Sequence, residues 1–224
     1  STATNPDASP IAPNIPVVST LLPPNSTIGL IGGGQLARML AIAAAELGFR
    51  TVVFCPEADC PAAQTANKHI VAAYEDTSAL DRFISLCDVM TYEFENLSLQ
   101  MVQHAEKSKN VYPSSKALEI TQDRLFEKQF LQKQGIRTAS WYAVDNYASL
   151  LSALAALGNR GLLKTRRFGY DGKNQIMLNH SDEQTLNKAL TTFRDQPLIL
   201  EEIVPFLSEI SVLSARTKQI AFTF

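Results

Sequence analysis

Residues 27–55 read TIGLIGGGQLARMLAIAAAELGFRTVVFC, and this stretch decides the fold of the first part of the chain. Residues 28–31 form a short apolar run that predicts a buried strand, and the glycines at 32–34 predict a turn. From Gln35 to Leu47 apolar residues recur at helical spacing, and residues 51–54 are the next apolar run. One face of this helix carries Leu36, Met39, Leu40 and Ala43. A strand, a glycine turn, a helix and a strand make a βαβ unit, which implies a parallel sheet.

The same alternation continues to about residue 113 and then gives way to longer helices and apolar hairpins. In the first part we predict strands at 70–72, 89–92 and 111–113 and helices at 77–86 and 97–107. In the second part we predict a helical stretch at 115–135 that breaks near Gln122, helices at 147–157 and 182–193, and strands at 141–144, 161–165, 174–178, 198–202, 209–213 and from 219 onward.

The predicted fold class is α/β, with a Rossmann-like parallel-sheet domain followed by an α+β domain. We place the first domain at 27–118 and the second at 119–224, and we interpret residues 1–26, rich in Pro, Ser, Asn and Thr, as a disordered tail. The sequence stops inside the apolar run 220–224, and an unpaired apolar strand is a poor place to end a domain. We therefore expect the second domain to be truncated at its C-terminal end.

Bulk composition excludes several classes of protein. The chain has 224 residues, a hydrophobic fraction of 46% and a formal net charge of −2, which suits a folded core but gives no field for nucleic acid or a membrane surface. We expect no secretory signal. Cys55, Cys60 and Cys87 lack the paired spacing of a zinc site, which argues against metal and against disulfides and favours a cytoplasmic protein.

The glycine turn satisfies G-x-G-x-x-A and leaves three interpretations open. Its glycines let a ligand approach the backbone, and the following helix offers free N–H groups to an anion. A dinucleotide site would also need an acidic residue at the end of the second strand, where this chain has Phe54, Cys55 and Pro56. A purely structural turn, or one that contacts a phosphate or substrate, fits better.

A cationic stretch, LLKTRRFGYDGKNQ at 162–175, lies between two apolar strands. Lys164 is at a strand end, so its ammonium has a fixed origin, and the loop after it is polar and glycine-bearing. A triphosphate needs such a combination of one fixed charge and a covering loop of donors, although the loop is not a Walker A motif. A solvated basic hairpin is the alternative, because charged runs usually face water.

Six segments occur in an order and spacing that is similar to one known family. They are IGLIGGGQLARML, PAAQTA, DVMTYEFENL, QDRLFEKQFL, LLKTRRFGYDGKNQ and LILEEIVPFLSEISVLSAR. From about residue 27 to the end, the chain resembles the 5-(carboxyamino)imidazole ribonucleotide synthases of the ATP-grasp superfamily. The resemblance implies a pre-ATP-grasp domain followed by an ATP-grasp domain.

The resemblance also implies roles for individual residues. ATP-binding positions are Arg124, Lys164, Gly169, Tyr170, Asp171, Gly172, Lys173, Asn174, Gln175, Glu201, Glu202, Ile203, Val204 and Glu209. Tyr170 and Asp171 would in addition act as the catalytic contacts toward aminoimidazole ribonucleotide. Substrate-binding positions are Gly33, Gly34, Gln35, Glu93, Glu95 and Asn96. The family usually has glycine where this chain has Phe168 and Asn174, and Asn tolerates a positive φ better than other non-glycine residues.

Structural alternatives remain for several of these residues. Arg124 can be a solvated helix cation, and the side chains of Glu201 and Glu202 can matter less than their backbone groups. Glu93 and Glu95, at i and i+2 of a predicted strand, can pair with surface lysines. For His69, His104 and His180 we expect structural or surface roles, because no sequence neighbour completes a catalytic pair.

By resemblance, the full-length enzyme would be a cytoplasmic homodimer that uses ATP, bicarbonate and 5-aminoimidazole ribonucleotide, with carboxyphosphate as intermediate. Its cofactor Mg²⁺ would be held by carboxylates beyond residue 224, with none of the metal ligands in this chain, so we expect little ligase activity from the chain alone. Another ATP-grasp ligase and a non-catalytic nucleotide-binding or oligomerisation module remain as rivals, with a flavin or nicotinamide oxidoreductase more distant.

Overall fold

The fold is described from a computed structural model, which describes residues 21–169, 174–180, 182–194, 196–217 and 220–223. Contacts divide the chain into two compact units. The first contains the described residues up to Glu93 together with Ser108–Tyr112, and the second contains Phe94–Lys107 and the described residues from Pro113 onward. The α/β fold class is confirmed, and the boundary between residues 118 and 119 stays a prediction.

The N-terminal unit is a parallel sheet with helices. Its strands are β1 (Thr27–Ile31), β2 (Arg50–Cys55), β3 (Lys68–Val71) and β4 (Val89–Tyr92), and its helices are α1 (Gln35–Glu46), a 3-10 helix (Pro61–Gln64) and α2 (Thr77–Ser85). The spatial order is β3-β2-β1-β4, with every pair parallel. Both neighbours of β1 therefore end at the same edge of the sheet, where the glycine turn follows β1.

Helix α1 packs with a face that the apolar pattern did not predict. Leu36, Met39, Leu40 and Ala43 are all exposed. Ala37, Ala41 and Ala44 are the buried residues of the helix instead. Small side chains let the helix lie close to the sheet beside the glycine turn, so volume and not hydrophobicity selected the buried face.

The C-terminal unit is built around an antiparallel sheet. Its strands are β5 (Trp141–Val144), β6 (Arg160–Thr165), β7 (Gln175–Asn179) and β8 (Leu198–Glu201), in the order β5-β8-β6-β7. Its helices are α3 (Leu99–Glu106), α4 (Ser115–Thr121), α5 (Arg124–Lys133), α6 (Tyr147–Ala156) and α7 (Glu183–Thr192). A final hairpin pairs β9 (Ser214–Arg216) with β10 (Ala221–Thr223).

One face of the second sheet packs on α6 and α7. Leu163, Leu200, Leu154 and Leu186 belong to one buried cluster there. Because side chains alternate along a strand, Lys164 and Glu201 point to the opposite face of the sheet. This opposite face, toward which α5 also contributes side chains, carries the candidate site.

Three predicted strand features are wrong. Val111 forms a single bridge to Met90 instead of a strand at 111–113, and the 209–213 segment is irregular, with strands only at Ser214–Arg216 and Ala221–Thr223. Strand β4 ends at Tyr92, so Glu93 and Glu95 do not share a strand face. Apolar residues in these segments favoured strands, but backbone pairing needs a neighbour that composition does not reveal.

Within the described part of the chain, no helix is both long enough and apolar enough to cross a membrane.

Candidate functional site

The centre of the candidate site is an ion pair between neighbouring strands of the second sheet. Lys164 Nζ lies 2.8 Å from Glu201 Oε2, and both side chains are mostly buried, with exposed fractions of 18% and 10%. The antiparallel register places Lys164 opposite Ile199, two residues before Glu201 on β8. The two strands therefore fix the positions of the lysine ammonium and the glutamate carboxylate. A ligand that binds on this face would meet both charged groups.

Helix α5 adds two more cations to the same place. Lys128 Nζ lies 3.6 Å from Glu201 Oε1, so one carboxylate faces two ammonium groups. Arg124, one helical turn earlier, donates from Nη2 to the carbonyl of Gly169 at 3.0 Å. Lys128 was missed by the sequence analysis. The signal that could have found it is its spacing of four residues from Arg124, which puts both side chains on one helix face.

Glu127 shows how crowded the charges are on this side of the second unit. Burial raises the pKa of its carboxyl, and the carboxylates of Glu201 and Glu95 raise it further, while Arg124 and Lys128 act in the opposite direction. Desolvation of the carboxylate is the largest of these effects. The raised pKa marks a partly desolvated region in which cations would bind an anionic ligand more strongly than in open water.

Two other cations of the 162–175 stretch are already engaged. The guanidinium of Arg166 contacts both oxygens of Asp123, with Nη2–Oδ2 at 2.6 Å and Nε–Oδ1 at 2.9 Å, and it stacks over the Phe126 ring. Arg167 donates to the side-chain carbonyl of Gln122 at 2.9 Å. This bidentate geometry anchors the start of the loop to the N-terminus of α5. Arg166 and Arg167 therefore hold the start of the loop in place.

The two ends of the loop have the backbone conformation that glycine favours. Phe168 has φ +61° and Asn174 has φ +57°. The Asn174 amide donates to the carbonyl of Phe168 at 3.0 Å and so closes the base of the loop. The capacity of Asn174 for a positive φ is thus used, while Phe168 carries strain because of its bulk. The predicted residues Tyr170, Asp171, Gly172 and Lys173 lie outside the described residues, and Gln175 begins β7.

The segment after β8 holds the remaining predicted positions. Glu202 accepts hydrogen bonds from the hydroxyl of Ser140 at 2.7 Å and from its backbone N–H at 3.1 Å. These hydrogen bonds depress the pKa of the Glu202 carboxyl. Ile203 is half-buried, Val204 and Glu209 are exposed, and all three lie in irregular backbone. Of the predicted positions between 201 and 209, Glu201, the last residue of β8, is the one that forms an ion pair with Lys164.

In the N-terminal unit, the glycine turn lies beside a carboxylate. A Cβ placed on Gly34 would approach Glu93 Oε1 to 3.1 Å. Gln35 is the first, exposed residue of α1, and Gly33 is buried in the turn. Glu95 and Asn96 are half-buried residues of the other unit. Among the predicted substrate positions, the turn and Glu93 are therefore brought together within one unit.

His69, for which a structural or surface role was expected, has a thiol partner in the fold that its sequence neighbours did not reveal. Its Nε2 lies 3.2 Å from the Cys55 sulfur, because β3 pairs with β2 and brings the two side chains together. Burial, reinforced by Cys60, raises the pKa of the Cys55 thiol to about 12. A thiol with such a pKa is protonated near neutral pH and is not an activated nucleophile.

Comparisons with known proteins match both halves of the chain. The family model described as ribonucleotide synthetase preATP-grasp domain matches residues 25–122, and the ATP-grasp domain model matches residues 129–224. The N5-carboxyaminoimidazole ribonucleotide synthase of Brucella melitensis biotype 1 is 51% identical over 199 residues, which make up 89% of this chain and 55% of that protein.

Solved structures agree with this match. An N5-carboxyaminoimidazole ribonucleotide synthetase in complex with ADP has a TM-score of 0.83 at 39% identity, covering 91% of this chain and 54% of that one. The N5-carboxyaminoimidazole synthase of Aspergillus clavatus, in complex with ADP and 5-aminoimidazole ribonucleotide, has a TM-score of 0.79 at 25% identity, covering 89% and 52%.

The chain spans about half the length of the relatives it matches. Two consecutive domain matches, half of the residues shared with one synthase and the same fold in the solved synthetases all agree. The chain belongs to the N5-carboxyaminoimidazole ribonucleotide synthase family of ATP-grasp proteins.

Proposed function

We propose that this chain supplies the ATP-binding face of an ATP-dependent ligase that carboxylates 5-aminoimidazole ribonucleotide with bicarbonate, through carboxyphosphate, in purine biosynthesis. The observation that carries the proposal is the convergence of Lys164 and Lys128 on Glu201, on one side of the ATP-grasp sheet. Support also comes from the relatives whose solved structures hold ADP and 5-aminoimidazole ribonucleotide.

The charges of this site suit the phosphates of a nucleotide. Glu201 offsets half of the positive charge of the two lysines and keeps their ammonium groups close together between the sheet and α5. A bound phosphate would compete with Glu201 for the ammonium groups, and charge-assisted hydrogen bonds to phosphate are among the strong ones. Arg124, held by the carbonyl of Gly169, would couple phosphate binding to the position of the covering loop.

The predicted loop and adenine contacts complete this ATP site in our proposal. Gly169 to Gln175 would cover the β- and γ-phosphates, and Tyr170 and Asp171 within this loop would reach toward the ribonucleotide. The backbone of 201–204 would contact adenine and Glu209 the ribose. The anchoring of Arg166 and Arg167 at the base of the loop supports a covering role, since such a loop needs a fixed point from which to close.

We assign the glycine turn to the ribonucleotide substrate and not to a nucleotide pyrophosphate. The Glu93 carboxylate lies next to Gly34, at the N-terminus of α1 where a phosphate would otherwise approach. A carboxylate there would repel the phosphates of either ligand but would accept hydrogen bonds from the hydroxyl and amine groups of the ribonucleotide. Glu95 and Asn96 stay predicted substrate contacts.

The carboxylates around Lys164 do not fit a magnesium site. Both oxygens of Glu201 face lysines, and both oxygens of Asp123 face Arg166. Mg²⁺ needs oxygen ligands that are available to it. We therefore propose that these two carboxylates do not bind Mg²⁺ in this state, and we expect the 224-residue chain to bind ATP without turning it over. ADP formation that depends on 5-aminoimidazole ribonucleotide would contradict this expectation.

Isothermal titration of the chain with ATP tests the proposal. We expect Lys164→Ala to weaken ATP binding by about 10- to 100-fold, the value of one or two hydrogen bonds to a charged group. Lys188→Ala is the matched control, because Lys188 is an exposed lysine on α7, which packs on the other sheet face. No ATP binding by the wild-type chain, or an equal affinity of the two variants, would contradict the proposal.

The remaining predictions concern the context of the protein. A homodimer and a cytoplasmic location stay predictions, the second because free thiols are typical of reducing compartments. Titration with 5-aminoimidazole ribonucleotide, compared with titration of the substrates of other ATP-grasp ligases, would separate this ligase from another ATP-grasp enzyme. Failure to bind ATP together with a stable dimer in sedimentation would instead favour an oligomerisation module.

A further inference from the structure

Cys55, Cys60 and His69 form a compact group in the N-terminal unit that the proposed ligase does not use. The Cys55 sulfur lies 3.2 Å and the Cys60 sulfur 3.9 Å from His69 Nε2, and the three atoms are all within 4.8 Å of one another. Both cysteines are buried and unpaired, and His69 is half-buried. From these three side chains we infer that the group is a binding site for one Zn²⁺ ion, and this inference does not depend on the proposed ligase activity.

The two sulfur–nitrogen separations are close to the value that zinc requires. Zn–S bonds of about 2.3 Å and Zn–N bonds of about 2.0–2.1 Å in a tetrahedron put a sulfur and a nitrogen roughly 3.5 Å apart and two sulfurs roughly 3.8 Å apart. The sulfur–nitrogen distances of 3.2 and 3.9 Å lie on either side of that value. Shifts of a few tenths of an ångström would bring both sulfur–nitrogen distances to that value.

The type of ligand also selects the metal. Two thiolates and an imidazole suit Zn²⁺, and they suit Mg²⁺ or Ca²⁺ poorly because those ions prefer oxygen. The carboxylate of Glu57 adds negative charge beside Cys55, which favours a cation further. The half-buried His69 leaves one side of the group open for the ion to enter and for water to take the fourth position.

The surrounding backbone holds the three side chains in fixed positions. A Cβ on Gly33 would lie 2.5 Å from both sulfurs, so the glycine turn packs directly against the two thiols. The N–H of Ala62 donates to the carbonyl of Gly33 at 3.0 Å, which ties the segment after Cys60 to the same turn. A bound ion would link the end of β2, the start of the 3-10 helix and β3 beneath the turn. Its role would be to stabilise the packing of Cys55 and Cys60 against the glycine turn.

The spacing argument that spoke against metal considered only neighbours in the sequence. Cys55 and Cys60 are separated by a loop, and His69 comes from the next strand of the sheet. The parallel register of β2 and β3 sets Val53 opposite His69, which places the imidazole near the end of β2. The ligand set is therefore a product of the sheet, which a pattern search in the sequence does not detect.

Metal titration of the reduced, chelator-treated 224-residue chain tests the inference. We expect one equivalent of Zn²⁺ to bind in competition with a chromophoric chelator, and we expect Co²⁺ to give a thiolate-to-cobalt charge-transfer band. His69→Gln should weaken Zn²⁺ binding at least about tenfold, and the Cys55→Ser/Cys60→Ser variant should abolish the Co²⁺ band. Cys87→Ser is the matched control, since Cys87 is a buried cysteine outside the group, and it should leave Zn²⁺ binding unchanged.

Two results would overturn the inference. One is a wild-type chain that binds well under one equivalent of Zn²⁺ and gives no Co²⁺ charge-transfer band, a measurement that needs no variant to fold. The other is an equal Zn²⁺ affinity of the wild-type chain and His69→Gln. Titration of ATP in parallel keeps this test separate from the proposed function, because the ATP site lies in the other unit.

Discussion

The glycine turn of the first unit follows β1, whereas Lys164 of the second unit lies within β6, and both regions were predicted to contact ligand. They are built from different materials. The turn consists of backbone packed on two buried thiols, with the Glu93 carboxylate beside it. The Lys164 site consists of the ammonium groups of Lys164 and Lys128 around the Glu201 carboxylate. Gly33 thus lacks a side chain because the two thiols fill that space, whereas the cation motif indicates which charge a ligand would carry.

The largest expected effect comes from removing the Asp123–Arg166 ion pair, which anchors the start of the 162–175 loop. Asp123 pairs with both Nε and Nη2 of Arg166 and caps α5 through the N–H of Leu125. We expect Asp123→Ala to lower the free energy of unfolding by about 3 kcal/mol, since a mostly buried guanidinium loses its partner and a helix loses its cap. Urea unfolding followed by circular dichroism measures this.

Asp182→Ala is the control for the anchor, because Asp182 caps α7 through Thr185 at an exposed surface. It should cost clearly less than Asp123→Ala. Asp123→Asn should fall between the two, because an asparagine keeps the cap but not the charge. If the Asp123 and Asp182 variants lost equal stability, the anchor at the base of the loop would contribute nothing.

The turn is tested by filling its space. A Cβ on Gly33 meets both sulfurs at 2.5 Å, whereas a Cβ on Gly34 meets only the end of the Glu93 side chain at 3.1 Å. We expect Gly33→Ala to cost about 2 kcal/mol of unfolding free energy through overpacking, and Gly34→Ala to cost less because a flexible side chain can move. Thermal unfolding of both variants compares them, and equal losses would show that the thiols do not pack against the turn.

The contribution of Lys128 to the phosphate site can be tested separately from that of Lys164. It faces Glu201 across 3.6 Å, a longer separation than that of Lys164, so it should contribute less to phosphate binding. We expect Lys128→Ala to weaken ATP binding about tenfold by isothermal titration, near the lower end of the range for charged hydrogen bonds. Lys133→Ala, an exposed residue of the same helix, should leave the affinity unchanged. An unchanged affinity of Lys128→Ala would remove Lys128 from the site.

Backbone strain in the loop is expected to have a smaller effect. Phe168 has a positive φ that bulky residues avoid, so Phe168→Gly should raise the unfolding free energy by about 1 kcal/mol. Asn174→Gly should change stability less, because asparagine tolerates this conformation and its amide contacts Phe168. Urea unfolding of the two variants measures the difference. A loss of stability in Phe168→Gly would show that ring contacts outweigh the strain.

The smallest expected effect is a pH dependence at the edge of the second sheet. Hydrogen bonds from Ser140 depress the pKa of Glu202 in the folded chain. A carboxylate with a depressed pKa contributes stability above its unfolded pKa, and the contribution disappears as the pH falls through the folded value. Ser140→Ala should therefore destabilise the chain at neutral pH and match the wild type in acid. A constant difference at every pH, measured by urea unfolding, would contradict this account.

The sequence predicted the regular elements better than their partners. Strand β1, the turn and α1 were located within a residue or two, because apolar runs and glycines act locally. The buried face of α1 was wrong because the close approach of helix and sheet selects alanine over leucine. The strand predicted at 209–213 was wrong because pairing depends on a neighbour elsewhere in the fold.

The same distinction applies to the sites. Lys164 was predicted from its strand-end position and Arg124 from the family resemblance, and each has a defined hydrogen-bond partner in the second unit, while their binding roles stay predictions. Lys128 and the Cys55–Cys60–His69 group were missed, because their partners come from other strands and helices. Spacing along the chain can place Lys128 on the same helix face as Arg124, but its pairing with Glu201 on the sheet is a tertiary property that spacing does not record.

A crystal structure of this chain with bound ADP is the most direct test of the account. We predict that phosphate oxygens lie within hydrogen-bonding distance of Lys164 Nζ and that Glu201 gives up part of its contact with the two lysines. Phosphates seated instead on the N-terminus of α1, next to Gly33 and Gly34, with Lys164 still paired to Glu201, would contradict the account.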